Sequence, residues 1–482
     1  MDSFWQSAWQ TLTLGRISIA QWQRGSWLHR FTVGLLQPWR NSSLLHHYGE
    51  ALGTLLISII LGLAPFVDNT LTAVLLVACA GLWLLLTLSD KPGRGLTPIH
   101  LVVALYAGIM LLATGLSPVK TAAAAGLVKA LLYMFLFLLA ARVLRNGRLR
   151  NWVILVYLFV SQVVSIYGIR QHFFGADALA TWVDPSSNQV GTTRVYSFLG
   201  NPNLLGAYLL PGAMLSIAAF FVWRSRGPKA LAALMFLTNS ACLVLTYSRG
   251  AWIGLLLSLA AMALLLLTWL SARFTPFWQR WALPAVLGAG TVVVLAAVVL
   301  LEPLRNRVVS LFAGREDSSN NFRLNVWAAV VEMIKDRPVL GIGPGNQAFN
   351  SIYPLYQQPR FTALSAYSIF LETLVETGFI GFTAFLWMLL VIVGQGWRSL
   401  KTLRHSANPQ AFWLMAAIAT LPGELGQGLF DTVWYRPEVQ TLWWLCIGLI
   451  ASFYSPLNQA LAGDDAPAQP EQMTSALPQR SA

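Results

Sequence analysis

Twelve apolar runs, most of about 17 to 25 residues, divide the chain between positions 51 and 454. A helix of about 20 apolar residues crosses a bilayer. Strand-like alternation is largely absent, which argues against a membrane barrel. Backbone groups in hydrocarbon must be satisfied internally, so the expected fold is an all-α polytopic membrane protein with about twelve transmembrane helices. Composition agrees, with 56% hydrophobic and 11% charged residues. A soluble chain carries about twice that charged share.

The basic residues orient the spans. With a cytoplasmic N-terminus, inside segments hold Arg16, Arg24, Arg30 and Arg40, then Lys91 and Arg94, then Arg142, Arg145, Arg148 and Arg150. Three later inside clusters lie around Arg226, Arg280 and Lys401. The short outer loops hold only Lys120, Arg170, Arg194, Arg249 and Arg436. This bias follows the positive-inside rule and places both termini in the cytoplasm. It also accounts for the net charge of +13 without nucleic acid as a partner. The expected layout is an interfacial arm at 1–50, helices 1–9 at 51–301, a long outer loop at 302–368, helices 10–12 at 369–454, and a disordered tail at 455–482.

The arm contains FWQSAWQTL, whose Phe4, Trp5, Ala8, Trp9 and Leu12 share a helical face suited to a membrane interface. It has no compact apolar core, so no cleavable signal peptide is expected. In the outer loop, FRLNVWAAVVEMIKD has the spacing of an amphipathic helix. Cys79, Cys242 and Cys446 sit singly in apolar runs and are expected to pack as small hydrophobes. No Cys/His spacing points to a metal, and no cofactor motif is present.

One stretch asks for a function. TYSRGAWIG, residues 246–254, places Arg249 between two apolar runs. A charge there needs a partner or water. Arg249 either snorkels at a hairpin tip or binds an anion, and other residues on the same side favour the second. Arg194 precedes the Gly200-Asn201-Pro202-Asn203 turn, where Asn203 can cap the sixth span or help to bind an anion. The long loop adds Arg315 and Arg323. It then offers Gly341, Gly343 and Gly345, which permit sharp turns or an anion-binding nest. Glu372 and Glu376 lie four apart on one face of the tenth span. They are functional candidates or ion-pair partners of the arginines. The short outer loops carry little acid. Guanidinium groups grip phosphate and carboxylate oxygens in pairs, so an anion site at the outer interface is expected.

Four ordered pieces resemble the O-antigen ligase and polymerase (WaaL/Wzy) superfamily. They are FLGNPNLLGAYL, SRGAWIG, NFRLNVWAAVVEMIKDRPVLGIGPGNQAF and FLETLVETGFIGF. The chain as a whole looks closest to the cyanobacterial IctB subgroup. That resemblance implies a role in inorganic carbon (bicarbonate) accumulation, in a plasma or thylakoid membrane. The wider superfamily implies the alternative, a metal-independent glycosyltransferase using a polyprenyl-diphosphate-linked glycan, such as undecaprenyl diphosphate. By resemblance, Arg249 and Arg323 fall where the ligases hold the donor diphosphate. The ligases carry a histidine, the expected base, in an AHN-x-(Y/F)-L pattern. Here that stretch reads Ala366-Tyr367-Ser368-Ile369-Phe370-Leu371, with Tyr367 at the histidine position. A phenol of pKa near 10 is a poor base at neutral pH. Glu372, Glu376 and His172, the one histidine expected on the outer side, are the other candidates.

Overall fold

A computed structural model gives the fold. It describes residues 2–17, 35–43, 45–90, 95–176, 194–300, 302–312 and 314–455, together with Ile19, residues 25–27 and Val33. The expected disordered tail, from residue 456 on, lies outside the described residues, as do Arg24, Arg30, Lys91 and Arg94. Among the described residues there are helices and no strands.

In chain order the helices are α1 (Asp2–Leu12), α2 (Gln37–Ser42), α3 (Leu45–Leu63), α4 (Asn69–Leu88), α5 (Pro98–Gly115) and α6 (Lys120–Val143). Then come α7 (Gly147–Phe174), α8 (Pro202–Val222), α9 (Arg226–Leu245), α10 (Arg249–Leu270), α11 (Pro276–Leu300) and α12 (Glu302–Phe312). The last are α13 (Ser318–Asp336), α14 (Asn346–Ile352), α15 (Ile369–His405), α16 (Ala411–Gly428) and α17 (Pro437–Ser452).

Each of the twelve apolar runs is a helix. Among the described residues, nine helices are long and apolar enough to cross a membrane. The remaining three of the twelve are α3, whose apolar part is Tyr48–Leu63, the 16-residue α17, and α16, which carries Glu424.

Contacts between distant segments gather at two opposite ends of the bundle. At one end Arg398 donates to Thr13 of the N-terminal arm, just after α1, Arg142 meets Asp90, and Arg150 bonds Gln410. This is the arm end. Here α1 leaves Trp5, Trp9 and Leu12 exposed, as an interfacial helix would. At the other end the 194–201 turn, the start of α10, the 314–368 segment and the 429–436 turn converge. This is the site end.

Two features shape it. First, α10 and α16 pack closely because glycines face each other. A Cβ on Gly254 would lie 2.7 Å from the Gly423 carbonyl, so no larger residue fits. That approach brings the start of α10 beside the end of α16. Second, α15 breaks at Gly378, which has φ 64 and ψ −171. A Cβ there would lie 2.3 Å from the Val339 backbone. The break frees N–H groups, and Phe379 donates to the Pro338 carbonyl at 2.7 Å. Above the break, Ile342 and Gly343 donate to the Val375 and Glu376 carbonyls, both at 2.9 Å.

Gly341, Gly343 and Gly345, all at positive φ, serve as sharp turns that seat their segment between α6 and α15. Their segment is tied down by the helix backbone, and the Gly345 N–H is spent on Glu376. The amphipathic expectation holds for α13, which buries Val326, Ala329, Val330, Met333 and Ile334 at helical spacing. The three cysteines are free and buried.

Candidate functional site

Arg249 opens α10. Ser248 caps the helix, its side chain accepting from the Ala251 N–H at 3.3 Å. That cap fixes where the guanidinium leaves the backbone. Arg249 is only 9% exposed, and its Nη2 meets Asp317 Oδ1 at 3.0 Å. The same Asp317 oxygen accepts the Asn320 N–H at 2.9 Å and so caps α13. One carboxylate therefore joins two chain segments.

Arg323, one turn into α13, donates from Nε to the Phe430 carbonyl at 2.7 Å. Arg194 donates to the Thr246 carbonyl at 3.0 Å and to Asn203 Oδ1 at 3.3 Å. Burial pushes the Arg194 guanidinium down to about 10, and the charges of Arg323 and Arg249 add to that. Burial also lowers Arg323, which Asp431 partly offsets and Arg249 reinforces. The contacts link the three arginines: Asp317 joins Arg249 to the start of α13, which carries Arg323, and Asn203 joins Arg194 to Asp431, next to the Phe430 carbonyl that holds Arg323.

Two aspartates enter this cluster. Asp317 comes from the long loop. Asp431 comes from the short α16–α17 turn, where burial raises its carboxyl pKa and Arg323 and the Asn203 amide pull it back down. Asn203 is not the cap of α8. Pro202 takes the first helical position, which makes Asn201 the cap, bonded to the Asn203 N–H at 2.8 Å. The Asn203 side chain instead bridges Arg194 to Asp431. Gln427 of α16 donates to its carbonyl at 2.7 Å.

Arg315 is outside the cluster. It is exposed and donates to Asn321 Oδ1 at 3.3 Å. His172, in the last turn of α7, packs its ring against neighbouring Phe173, and among the described residues no recorded bond ties it to the arginines. The adjacent Gln171 matters more. Its Oε1 accepts the Ser197 N–H at 2.7 Å and the Tyr196 N–H at 3.1 Å, which holds the turn after Arg194.

Tyr367 sits at φ 52, an uncommon conformation for a side-chain-bearing residue. The backbone there is pinned by Glu372, which accepts the Ala366 N–H. The Tyr367 ring stands edge-on to Phe322 at 5.2 Å. Burial, with Asp431 adding, pushes its phenol up to about 12. It is thus an even poorer base than a free tyrosine.

Among the described residues Glu372 and Glu376 make no ion pair with the arginines. Each spends an oxygen on a backbone N–H, Glu372 on Ala366 and Glu376 on Gly345 at 2.7 Å. Thr432 also approaches Glu372, at 3.4 Å. Both carboxylates line a cavity of about 230 Å³ between α6, α14, α15, α17 and the 432–435 turn. Lys129 of α6 lines it too and donates to the Tyr435 carbonyl at 2.8 Å. Thr432 adjoins Asp431 of the arginine cluster, so the cavity lies beside that cluster.

Sequence reading missed Asp317, Asp431, Lys129 and Tyr435. Asp317 had a signal, since an aspartate before Ser-Ser-Asn is a helix-capping pattern. Asp431 is an acid on a short turn between apolar runs, a functional candidate by default. Among the described residues no group of His, Cys, Asp and Glu has the arrangement of a metal site.

No curated protein matches the chain. Residues 231–386 match the family model described as O-antigen ligase, a stretch that includes Arg249, Arg323, Tyr367, Glu372 and Glu376 and supports placing this multi-pass helical protein with that superfamily.

Proposed function

We propose that the chain is a membrane glycosyltransferase that takes a glycan from a polyprenyl-diphosphate carrier, and that the site end faces away from the cytoplasm. The observation that carries this reading is the gathering of Arg194, Arg249 and Arg323 from three separate segments beside a polar cavity. Guanidinium pairs match the oxygens of a diphosphate. Arg249 and Arg323 both lie within the ligase-type stretch.

In this reading the acceptor's hydroxyl oxygen attacks the anomeric carbon of the glycan. The bond from that carbon to the diphosphate oxygen breaks, and the diphosphate leaves with the electron pair. The arginines balance the charge that develops on it, which is where such donors contribute most. The hydroxyl proton passes to a carboxylate. Glu372 is suited to take it, because it is fixed by Ala366 and Thr432 at the wall between cluster and cavity. Tyr367 keeps its proton and is suited to donate a hydrogen bond. Asp317 occupies Arg249 until the donor displaces it.

A second reading follows from the IctB resemblance, in which the arginines bind bicarbonate for inorganic carbon accumulation. An arginine cluster favours that anion. The neighbouring cavity does not, because two carboxylates against one lysine repel it. The test sets both activities side by side in proteoliposomes, with labelled polyprenyl-diphosphate glycan transfer in one arm and labelled bicarbonate uptake in the other. Transfer that is lost in Arg249→Ala, without bicarbonate uptake, supports the first reading. Uptake that needs Arg249, without transfer, overturns it.

A further inference from the structure

The cavity beside the arginine cluster is built for a different chemistry from the cluster itself. We propose that it is the subsite for the acceptor's terminal sugar, holding one neutral, hydroxyl-rich ring through Glu372 and Glu376. This rests on the transferase reading and adds the substrate class of its second half.

Size comes first. A water molecule takes about 30 Å³ of liquid. A cavity of about 230 Å³ therefore holds the equivalent of about seven or eight waters, enough for one sugar ring. Next come the walls. Glu372 and Glu376 lie four residues apart on one face of α15. Each has one oxygen fixed by a backbone N–H, which orients the carboxylate and leaves its other oxygen for whatever enters. Two oriented carboxylates are acceptors for adjacent hydroxyls, and such charge-assisted bonds are the stronger kind. Lys129 of α6 adds a donor to the lining.

Aromatic rings form part of the remaining lining, among methionines and small or polar residues. Trp434, Trp443 and Trp444 line the cavity, and Trp434 and Trp443 pack with ring centroids 4.3 Å apart. Flat indole faces suit the C–H face of a sugar ring, while its hydroxyls meet the carboxylates. Anions are a poor fit beside two carboxylates. Position completes the argument, because the cavity and the cluster share the turn that carries Asp431, Thr432 and Tyr435. A ring held by Glu372 presents a hydroxyl toward the donor's anomeric carbon.

The test separates sugar binding from donor binding and from transfer. The full chain in nanodiscs is titrated with methyl glycosides of glucose, galactose and N-acetylglucosamine, read by tryptophan fluorescence. Farnesyl diphosphate is titrated separately as a donor probe. One of the glycosides is expected to saturate the signal. Glu376→Gln and Glu372→Gln should each weaken that binding about tenfold or more, and leave farnesyl diphosphate binding within about twofold. Ala130→Phe, which fills the cavity from α6 and leaves both glutamates in the sequence, should abolish glycoside binding and keep diphosphate binding, which also reports a folded protein. Arg249→Ala should do the reverse.

Glycoside binding that is absent, or unchanged in the glutamine and phenylalanine variants, overturns the subsite even if transfer is observed. Binding of choline in preference to the glycosides overturns it as well, in favour of a cation site. Glutamate-dependent glycoside binding without any transfer upholds a sugar site and removes the transferase reading instead.

Discussion

Arg40 and Arg142 at the arm end, and Arg194 and Arg323 at the site end, are all partly buried but are held in opposite ways. Asp90 takes Arg40 on one oxygen at 3.1 Å and Arg142 on the other at 2.9 Å, and Glu50 lies 3.8 Å from Arg142. Those charges cancel where they stand. Arg194 and Arg323 rest on neutral oxygens, the carbonyls of Thr246 and Phe430 and the amide of Asn203. Such partners fix the position of a guanidinium, and the nearby Asp431 offsets its charge only in part. Arginine at a membrane boundary is ordinary, and most of it here follows from orientation alone. The informative difference is whether the local carboxylates neutralise it.

The sharpest way to break this comparison is to remove one arginine from each end. Arg323→Ala should weaken farnesyl diphosphate binding by about 10- to 100-fold, the range for a lost hydrogen bond to a charged group. Arg142→Ala should leave that binding within about threefold and lower the melting temperature, because Asp90 then keeps a single partner. Equal losses of binding from the two variants would erase the distinction.

Asp317→Asn sharpens the comparison at the site end itself. Asn caps helices about as well as Asp, so α13 keeps its start. The variant removes the negative charge that meets Arg249 at 3.0 Å. Diphosphate binding should tighten by about three- to tenfold, more at low salt than at high salt. Weaker binding would mean that Asp317 positions Arg249 for the donor and does not compete with it.

A smaller effect is expected at Tyr367. Its phenol is pushed up to about 12, so it stays protonated across the working range of pH. Tyr367→Phe should lower transfer by about threefold or less, the loss of one neutral hydrogen bond. It should leave the pH profile unchanged below about pH 10. The sign for stability follows from the same shift. The folded state binds this proton more tightly than the unfolded chain does, so stability falls as pH rises from about 10 to about 12. Tyr367→Phe should remove that fall in a melting series. A wild-type activity limb near neutral pH that vanishes in Tyr367→Phe would identify the phenol as the base.

Sequence made the helices legible because a bilayer-spanning run is a local signal, carried by consecutive residues. All twelve runs became helices for that reason. The arginines were legible for a related one, since a charge between apolar runs stands out. Their partners were not. Asp317 lies 68 residues from Arg249, and Asp431 lies 228 from Asn203. Periodicity cannot report such pairings. The glycine loop shows the same limit in another form. Its residues do adopt positive φ, as Gly341, Gly343 and Gly345 permit. What their N–H groups would bind was set by the break at Gly378, more than thirty residues later. Asn203 went astray by two positions, because Pro202 shifts the cap to Asn201.

The smallest expected effect tests whether position, and not charge alone, makes the site. Arg315 shares a loop with Arg323 and was a candidate on the same grounds. It is exposed and donates to Asn321, in its own neighbourhood. An exposed charge at low field strength contributes little once salt screens it. Arg315→Ala should therefore leave diphosphate binding within about twofold at 0.15 M salt. At low salt a small loss is expected from the general positive potential of that face. If Arg315→Ala matched Arg323→Ala at both salts, the cluster would bind anions through diffuse charge. The carbonyl seats of Arg194 and Arg323 would then have no bearing on function.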